Sequence, residues 1–343
     1  MLKKLFLFLS LSALTLNLSY AQEGHDAHAE AKHGEEGEEK FNIGDMIMHH
    51  ISDEHGWEFT HGVKLPLPVI VYSEPTGLKI FSSSRLEHGQ SYEGFVNHHE
   101  HITYAADEKV HVWDFSITKN VASLMLSAIL LVLVMTAVAK GFKKNKGKAP
   151  SGIQSAMEPI ITFIRDEVVK PNIGPKYEKY LPYMLTLFFF ILFNNLLGLF
   201  PGGANVTGNI AITLVLAVIT FLITNLGGNK HYWLHLVKPT GVPAALLPIM
   251  IPVEIVGVLM KPFSLMVRLF ANITAGHIIL LSLFGLIFIF KSFVIAPVIS
   301  GFALFMNGIE LLVAFLQAFI FTLLSSMYIG SSIEEHHDAD HGH

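Results

Sequence analysis

A chain of 343 residues that is 51% hydrophobic and only 15% charged, with a mean hydropathy of +0.48, is too apolar for a water-soluble domain and indicates an integral membrane protein. The absence of cysteine excludes disulfides, thiol catalysis and thiolate metal sites. The net charge of −5 is carried mainly by a polar N-terminal region and a short tail, so it describes those parts and not the membrane portion.

Lys3 and Lys4 precede an apolar stretch from Leu5 to Leu18, and Ser19-Tyr20-Ala21 offers small residues at −3 and −1, the pattern of a secretory signal over residues 1–21. A short first membrane helix is the other reading of the same stretch. Residues 22–115 form a polar, extracytoplasmic region that holds most of the nineteen histidines. Up to about Lys40 its Glu, Gly and His composition predicts disorder. Lys64 to Tyr72 and Leu78 to Phe81 read as short strands around a Glu-Pro-Thr-Gly turn, so a small β-containing cap is expected. His49-His50, His98-His99 and His101 lack a closed ligand spacing, as do His336, His337, His341 and His343 of the tail, residues 334–343. They read as solvated runs and not as a metal site.

Five apolar stretches are candidates to cross about 30 Å of hydrocarbon: about Ile117 to Ala139, Leu181 to Phe200, Ile210 to Leu226, Leu246 to Phe290 and Phe293 to Ile329. Lys140, Lys143, Lys144, Lys146 and Lys148 after the first make the loop that follows it cytoplasmic, which puts the N-terminal region outside and the C-terminus inside. Between the first two spans, Gln154 to Lys170 has helical periodicity and predicts a surface helix ended by Pro171. The last two stretches are too long for perpendicular spans, since about 45 residues of helix extend about 68 Å. Kinks at Pro248, Pro252 and Pro262, or steep tilt, would accommodate them, and their succession predicts a tilted hairpin.

Within these two stretches the polar residues are few. Arg268 lies in a long apolar run whose nearest carboxylate in sequence is Glu254. A guanidinium stays charged, and placing it mid-membrane costs at least about 3 kcal/mol, which marks it as functional. Asn272 shares its face at i+4, and Glu310 and Gln317, seven apart, share a face on the next stretch. For a hairpin turning at Lys291-Ser292, residues of equal depth have numbers summing to roughly 583 to 586. Arg268 then lies level with Gln317, and His277 with Glu310. His and Glu exchange protons where burial and contact shift them, whereas Arg cannot and serves as an electrostatic gate. No acid of this chain is positioned to carry a proton past Arg268, which implies a partner with a mobile carboxylate.

The run Pro252-Val253-Glu254, Lys261-Pro262-Phe263-Ser264-Leu265, Arg268-Leu269-Phe270-Ala271-Asn272, Ala275-Gly276, followed by Gln317-Ala318-Phe319-Ile320-Phe321, closely resembles subunit a of F-type ATP synthases, as does Asn194-Asn195-Leu196-Leu197-Gly198-Leu199-Phe200-Pro201. The resemblance covers about residues 117–333. It implies a membrane stator beside a rotating ring of c subunits, each with an essential carboxylate, together with peripheral-stalk b subunits and, indirectly, the F1 sector. It implies that Arg268 gates two offset half-channels, with Asn272 and Gln317 beside it. Glu254 then belongs to the cytoplasmic half-channel, and His277 with Glu310 to the inlet half-channel. Many bacterial relatives have an acid where this chain has His277 and a histidine where it has Glu310. The resemblance does not explain residues 22–115.

The reading is therefore an all-α integral membrane protein of five transmembrane helices, the last two long and steeply tilted as a hairpin, after a partly β or disordered extracytoplasmic region. Residues 116–333 are its membrane domain. It acts as the proton-conducting stator of an ATP synthase in a bacterial inner membrane. It is not an enzyme on its own, takes no cofactor, binds no nucleic acid, and has no phosphate-binding Gly-rich loop. A secondary metal-cation transporter loaded by the external histidines is the main rival. A non-transporting assembly protein is the third reading and would leave the Arg–His–Glu set without purpose.

Overall fold

A computed structural model describes residues 52–60, 63–98, 101–105, 110–200, 202–237, 243–290 and 295–334. The signal segment, the low-complexity stretch, His49-His50, His99, the Lys291-Ser292 turn and the tail histidines lie outside them. The chain forms two compact units. One takes in the N-terminal region to Leu126, Leu196–Val206 and Ala275–Leu312; the other takes in Ser127–Asn195, Thr207–Thr274 and the chain from Val313 onward.

The first unit carries the strands. These are β1 (Gly56–Thr60), β2 (Val63–Pro66), β3 (Pro68–Ser73), β4 (Gly77–Ser82), β5 (Phe95–His98), β6 (His101–Tyr104) and β7 (Val112–Asp114). β3 is the centre of a three-stranded antiparallel sheet, ordered β4-β3-β7, and β1-β2 and β5-β6 are separate hairpins. The strands expected over 64–72 and 78–81 are present, with the first divided at Leu67. Val69 and Val71 point to one face of β3, as alternation requires, and pack with Leu86, Phe95 and Ile102 into a small core. The first membrane helix, α1 (Lys119–Lys144), is tied directly to this region. Asn120 N donates to Asp53 Oδ1 at 3.0 Å and Lys119 N to Glu54 O at 2.8 Å. A carboxylate and a main-chain carbonyl from a remote segment thus cap amides that the helix itself cannot satisfy.

The helices of the remaining chain are α2 (Ile153–Phe163), a π-helical stretch (Ile164–Val169), α3 (Lys170–Ile173), α4 (Tyr177–Gly198), α5 (Ile210–Leu226), α6 (Lys230–Val237), α7 (Leu247–Phe290) and α8 (Ile295–Ile333). Pro171 does not end the helix that begins near Gln154. The helix passes through a π-helical stretch into α3, which holds Pro171 in its first turn. α7 runs through Pro252 and Pro262, the positions at which kinks are expected. α6 was not foreseen: it follows α5 after a bend of 105°. Among the described residues four helical stretches are long and apolar enough to cross a membrane, or five if α5 and α6 form one broken span. The second of the four is Ile153–Gly198, in which the expected surface helix and the expected second span follow one another with little interruption.

In the second unit, α8 is held at its C-terminal end by a residue that propensity would not single out. Asn229 N donates to Ser332 O at 2.9 Å and Asn229 Nδ2 to Ile333 O at 2.6 Å, satisfying carbonyls of the last helical turn. Gly330 allows the close approach of α8 to α3, because a Cβ there would overlap the backbone carbonyl of Asn172.

Candidate functional site

The polar residues of α7 and α8 gather in two places, one in each unit. In the second unit, Glu254, Lys261 and Arg268 follow one another at intervals of seven along α7. Their directions fall within about 40° of arc, with Asn272 one turn further on. This heptad spacing is legible in the sequence once the stretch is known to be one unbroken helix. Lys261 Nζ stands 5.3 Å from the Tyr328 ring centroid on α8. Glu254, half-buried, is near enough for its charge to act on both Lys261 and Tyr232.

Arg268 is exposed, and among the described residues no carboxylate, carbonyl or ring holds its guanidinium. Level with it the sequence places Gln317, but the hydrogen bond goes elsewhere. Asn272 Nδ2, one helical turn on from Arg268 along the same face of α7, donates to Gln317 Oε1 at 3.0 Å. Gln317 is 2% exposed, and its Nε2 has no acceptor among the described residues. Three residues before it, Ala314 O accepts from Asn195 Nδ2 at 3.1 Å, and Asn195 Oδ1 accepts from Thr207 at 2.7 Å. Asn195, quoted above only within a motif, is therefore the group that fixes this part of α8 against α4.

The first unit holds the other pair. His277 Nδ1 stands 2.8 Å from Glu310 Oε1, as the equal-depth argument expects. Glu310 is buried, and neither of its oxygens receives an aligned hydrogen bond from the described residues. A buried carboxylate in that state is a natural place for a bridging water. Two glycines shape the space. A Cβ at Gly276 would lie 3.2 Å from Glu310 Oε1, tighter than ordinary contact. One at Gly198 would lie 3.3 Å from Ala204 O and 3.9 Å from His277 Nε2. The end of α4 thus approaches His277 while the segment after it folds back over Gly198, and Trp57 Nε1 of β1 donates to Gly202 O in that segment at 2.8 Å. The N-terminal region is consequently linked to the segment that folds over the end of α4 beside His277, a contact across 145 residues that local patterns do not report.

Comparison with known proteins decides the family. The model of the ATP synthase A chain family matches residues 122–330. The chain belongs to that family. It is similar to ATP synthase subunit a of Chlorobium phaeobacteroides (strain BS1), 44% identical over 92% of this chain and 82% of that protein. It is also similar to ATP synthase subunit a of Chloroherpeton thalassium (strain ATCC 35110 / GB-78), 47% identical over 71% and 74%. The ATP synthase subunit a of Anaeromyxobacter sp. (strain Fw109-5) is 39% identical over 94% and 77%. Residues 46–123 match a domain of unknown function, DUF8433, so the described strands form a recurrent element and not an irregular leader. The reading as a metal-cation transporter finds no support among these relatives, all of them named as ATP synthase subunit a.

Proposed function

We propose that this chain is the proton-conducting stator subunit of the membrane sector of a bacterial F-type ATP synthase, working beside a ring of c subunits. The observation that supports this best is Arg268, an exposed guanidinium on a long apolar helix with no counter-charge among the described residues. Such a cation in hydrocarbon is tolerable only when another molecule supplies the opposite charge. A ring carboxylate arriving at about 4 Å would gain about 4 kcal/mol in its ionised form at an effective dielectric constant of about 20. That is enough to expel its proton, and the fixed charge blocks a continuous proton path past the same point.

In this reading His277 and Glu310 form the inlet half-channel, and Glu254 lies in the cytoplasmic one. Asn272 and Gln317 keep the helices beside the gate at fixed spacing. The 44 residues of α7 would extend about 66 Å, so α7 and α8 lie steeply tilted in the bilayer. The N-terminal region faces the periplasm after removal of a signal peptide, and the C-terminus faces the cytoplasm, where b subunits of the peripheral stalk brace the chain against F1. Arg268→Lys in the reconstituted complex tests the assignment. Coupled ATP synthesis is expected to be lost, because a flexible ammonium does not reproduce the planar fork. Synthesis at the unmodified rate would overturn the gate.

A further inference from the structure

The three-stranded sheet of the N-terminal region is apolar on both faces. One face is accounted for by the core of Val69, Val71, Leu86, Phe95 and Ile102. On the other, cross-strand pairing aligns Leu78, Tyr72 and Trp113 in one row and Ile80 with Ile70 in the next. Phe115 N donates to Ile70 O at 2.8 Å, which carries the second row on to Phe115. Ile80 is 66% exposed, Phe115 63% and Trp113 56%, and neither row contains a charged residue. An antiparallel sheet with one face in water shows polar side chains there. The only lysine of β4, Lys79, is on the opposite face and pairs with Glu93 at 2.9 Å.

What covers this face is indicated by where the sheet is anchored. Ile117 N donates to Pro68 O at 3.1 Å and Ile70 N to Ser116 Oγ at 3.0 Å, so strand-like pairing continues to within two residues of α1. Asp53 and Glu54 then hold the first amides of α1. No free linker separates the sheet from a helix whose exposed residues Val121, Met125 and Leu126 are apolar from its first turns. A sheet fixed to the mouth of a membrane helix cannot leave the bilayer surface. Trp and Tyr at that level have an apolar body and a polar edge, the arrangement found at the boundary between headgroups and acyl chains.

We infer that the Tyr72–Leu78–Ile80–Trp113–Phe115 face is a lipid-contacting surface, seated in the interfacial layer of the leaflet in which α1 begins. An apolar face so placed is buried about 5–10 Å into that layer. The inference rests on α1 being a membrane span and not on the role of Arg268, so either can fail alone.

The chain has no native cysteine, so single cysteines can carry nitroxide labels without background. Leu78→Cys, Ile80→Cys and, on the 3-10 turn packed over the other face, Ser84→Cys are labelled in the full-length chain and reconstituted in phosphatidylcholine–phosphatidylglycerol vesicles. Collisions with dissolved oxygen, which concentrates in acyl chains, and with a water-confined nickel chelate are then measured. The labels at 78 and 80 are expected to meet oxygen several-fold more, and nickel several-fold less, than the label at 84. Nickel access at 78 and 80 equal to that at 84 would mean a water-facing surface and overturn the inference. Exclusion of both reagents at 78 and 80 would mean cover by protein, such as residues 1–51 or a second copy, and would overturn it equally. In a Trp57→Phe/Trp233→Phe chain, Trp113 fluorescence should be quenched by acyl-brominated lipid; absence of quenching would count against lipid contact without any label.

Discussion

The hydrogen bond between Asn272 and Gln317 is asymmetric, and that asymmetry makes a quantitative prediction. Gln317 is almost wholly buried and already has an unmatched Nε2, whereas Asn272 is exposed on its helix. Gln317→Leu keeps the volume, loses one interhelical hydrogen bond worth about 0.6–1 kcal/mol, and removes a buried orphan donor whose burial costs about 1–3 kcal/mol. The net change in stability should lie between neutral and about 2 kcal/mol of stabilisation. Asn272→Leu removes the same bond but leaves the whole Gln317 amide buried without a partner, which should destabilise by about 1–3 kcal/mol. The two variants should therefore differ by about 1–5 kcal/mol although they delete one and the same contact. Unfolding of the full-length chain in mixed micelles by increasing sodium dodecyl sulfate, followed by intrinsic fluorescence, measures the difference. Equal losses in both variants would refute the reasoning, since they would mean that Gln317 Nε2 is satisfied and the pair contributes as an ordinary two-sided bond. The same variants in the complex separate stability from function: Gln317→Leu should be stable yet slowed in ATP-driven proton pumping.

Gly330→Ala places a methyl group into the Asn172 carbonyl, so α8 and α3 must separate. A loss of about 3 kcal/mol is expected, at the upper end for overpacking, and it should appear as a lowered thermal midpoint of the purified chain. Exchanging His277 and Glu310 should preserve more proton flux than either residue changed alone, because the pair acts across 2.8 Å. Additive losses in a proton-uptake assay would argue against coupling. Burial raises the Asp114 carboxyl, but hydrogen bonds from His55 and Ser116 outweigh it and hold its pKa below the ordinary carboxylate value. A group depressed in the folded state stabilises above its unfolded pKa of about 3.9 and loses that contribution as pH falls through the folded value. Acidification from about pH 5 to about pH 2 should therefore lower the urea midpoint of the N-terminal strands, followed by tryptophan fluorescence. His55→Phe should make that drop smaller.

Much of the membrane portion is legible without coordinates because hydrocarbon imposes a simple rule: backbone groups must be satisfied within helices and side chains must be apolar. The ends of α5 and the start of α7 fall within a residue of the expected limits for that reason. The pairing of His277 with Glu310 was accessible by counting from the turn, since helical rise is constant. Depth alone does not fix azimuth, so counting places Gln317 level with Arg268 but does not tell that Asn272 takes the bond. α6 is not legible in the sequence because Lys230 to Val237 is short and mixed in character.

The chain by itself determined the membrane class, the two overlong helices and the isolation of Arg268. Those follow from composition and from the cost of a permanent charge in hydrocarbon. Only the tertiary structure decided which neighbour Gln317 bonds, that Asn195 and Asn229 pin α8, and that Trp57 reaches the loop beside His277. Each of these depends on a contact between residues far apart in sequence, set by the angle and register at which helices and strands pack. Local periodicity carries no information about either.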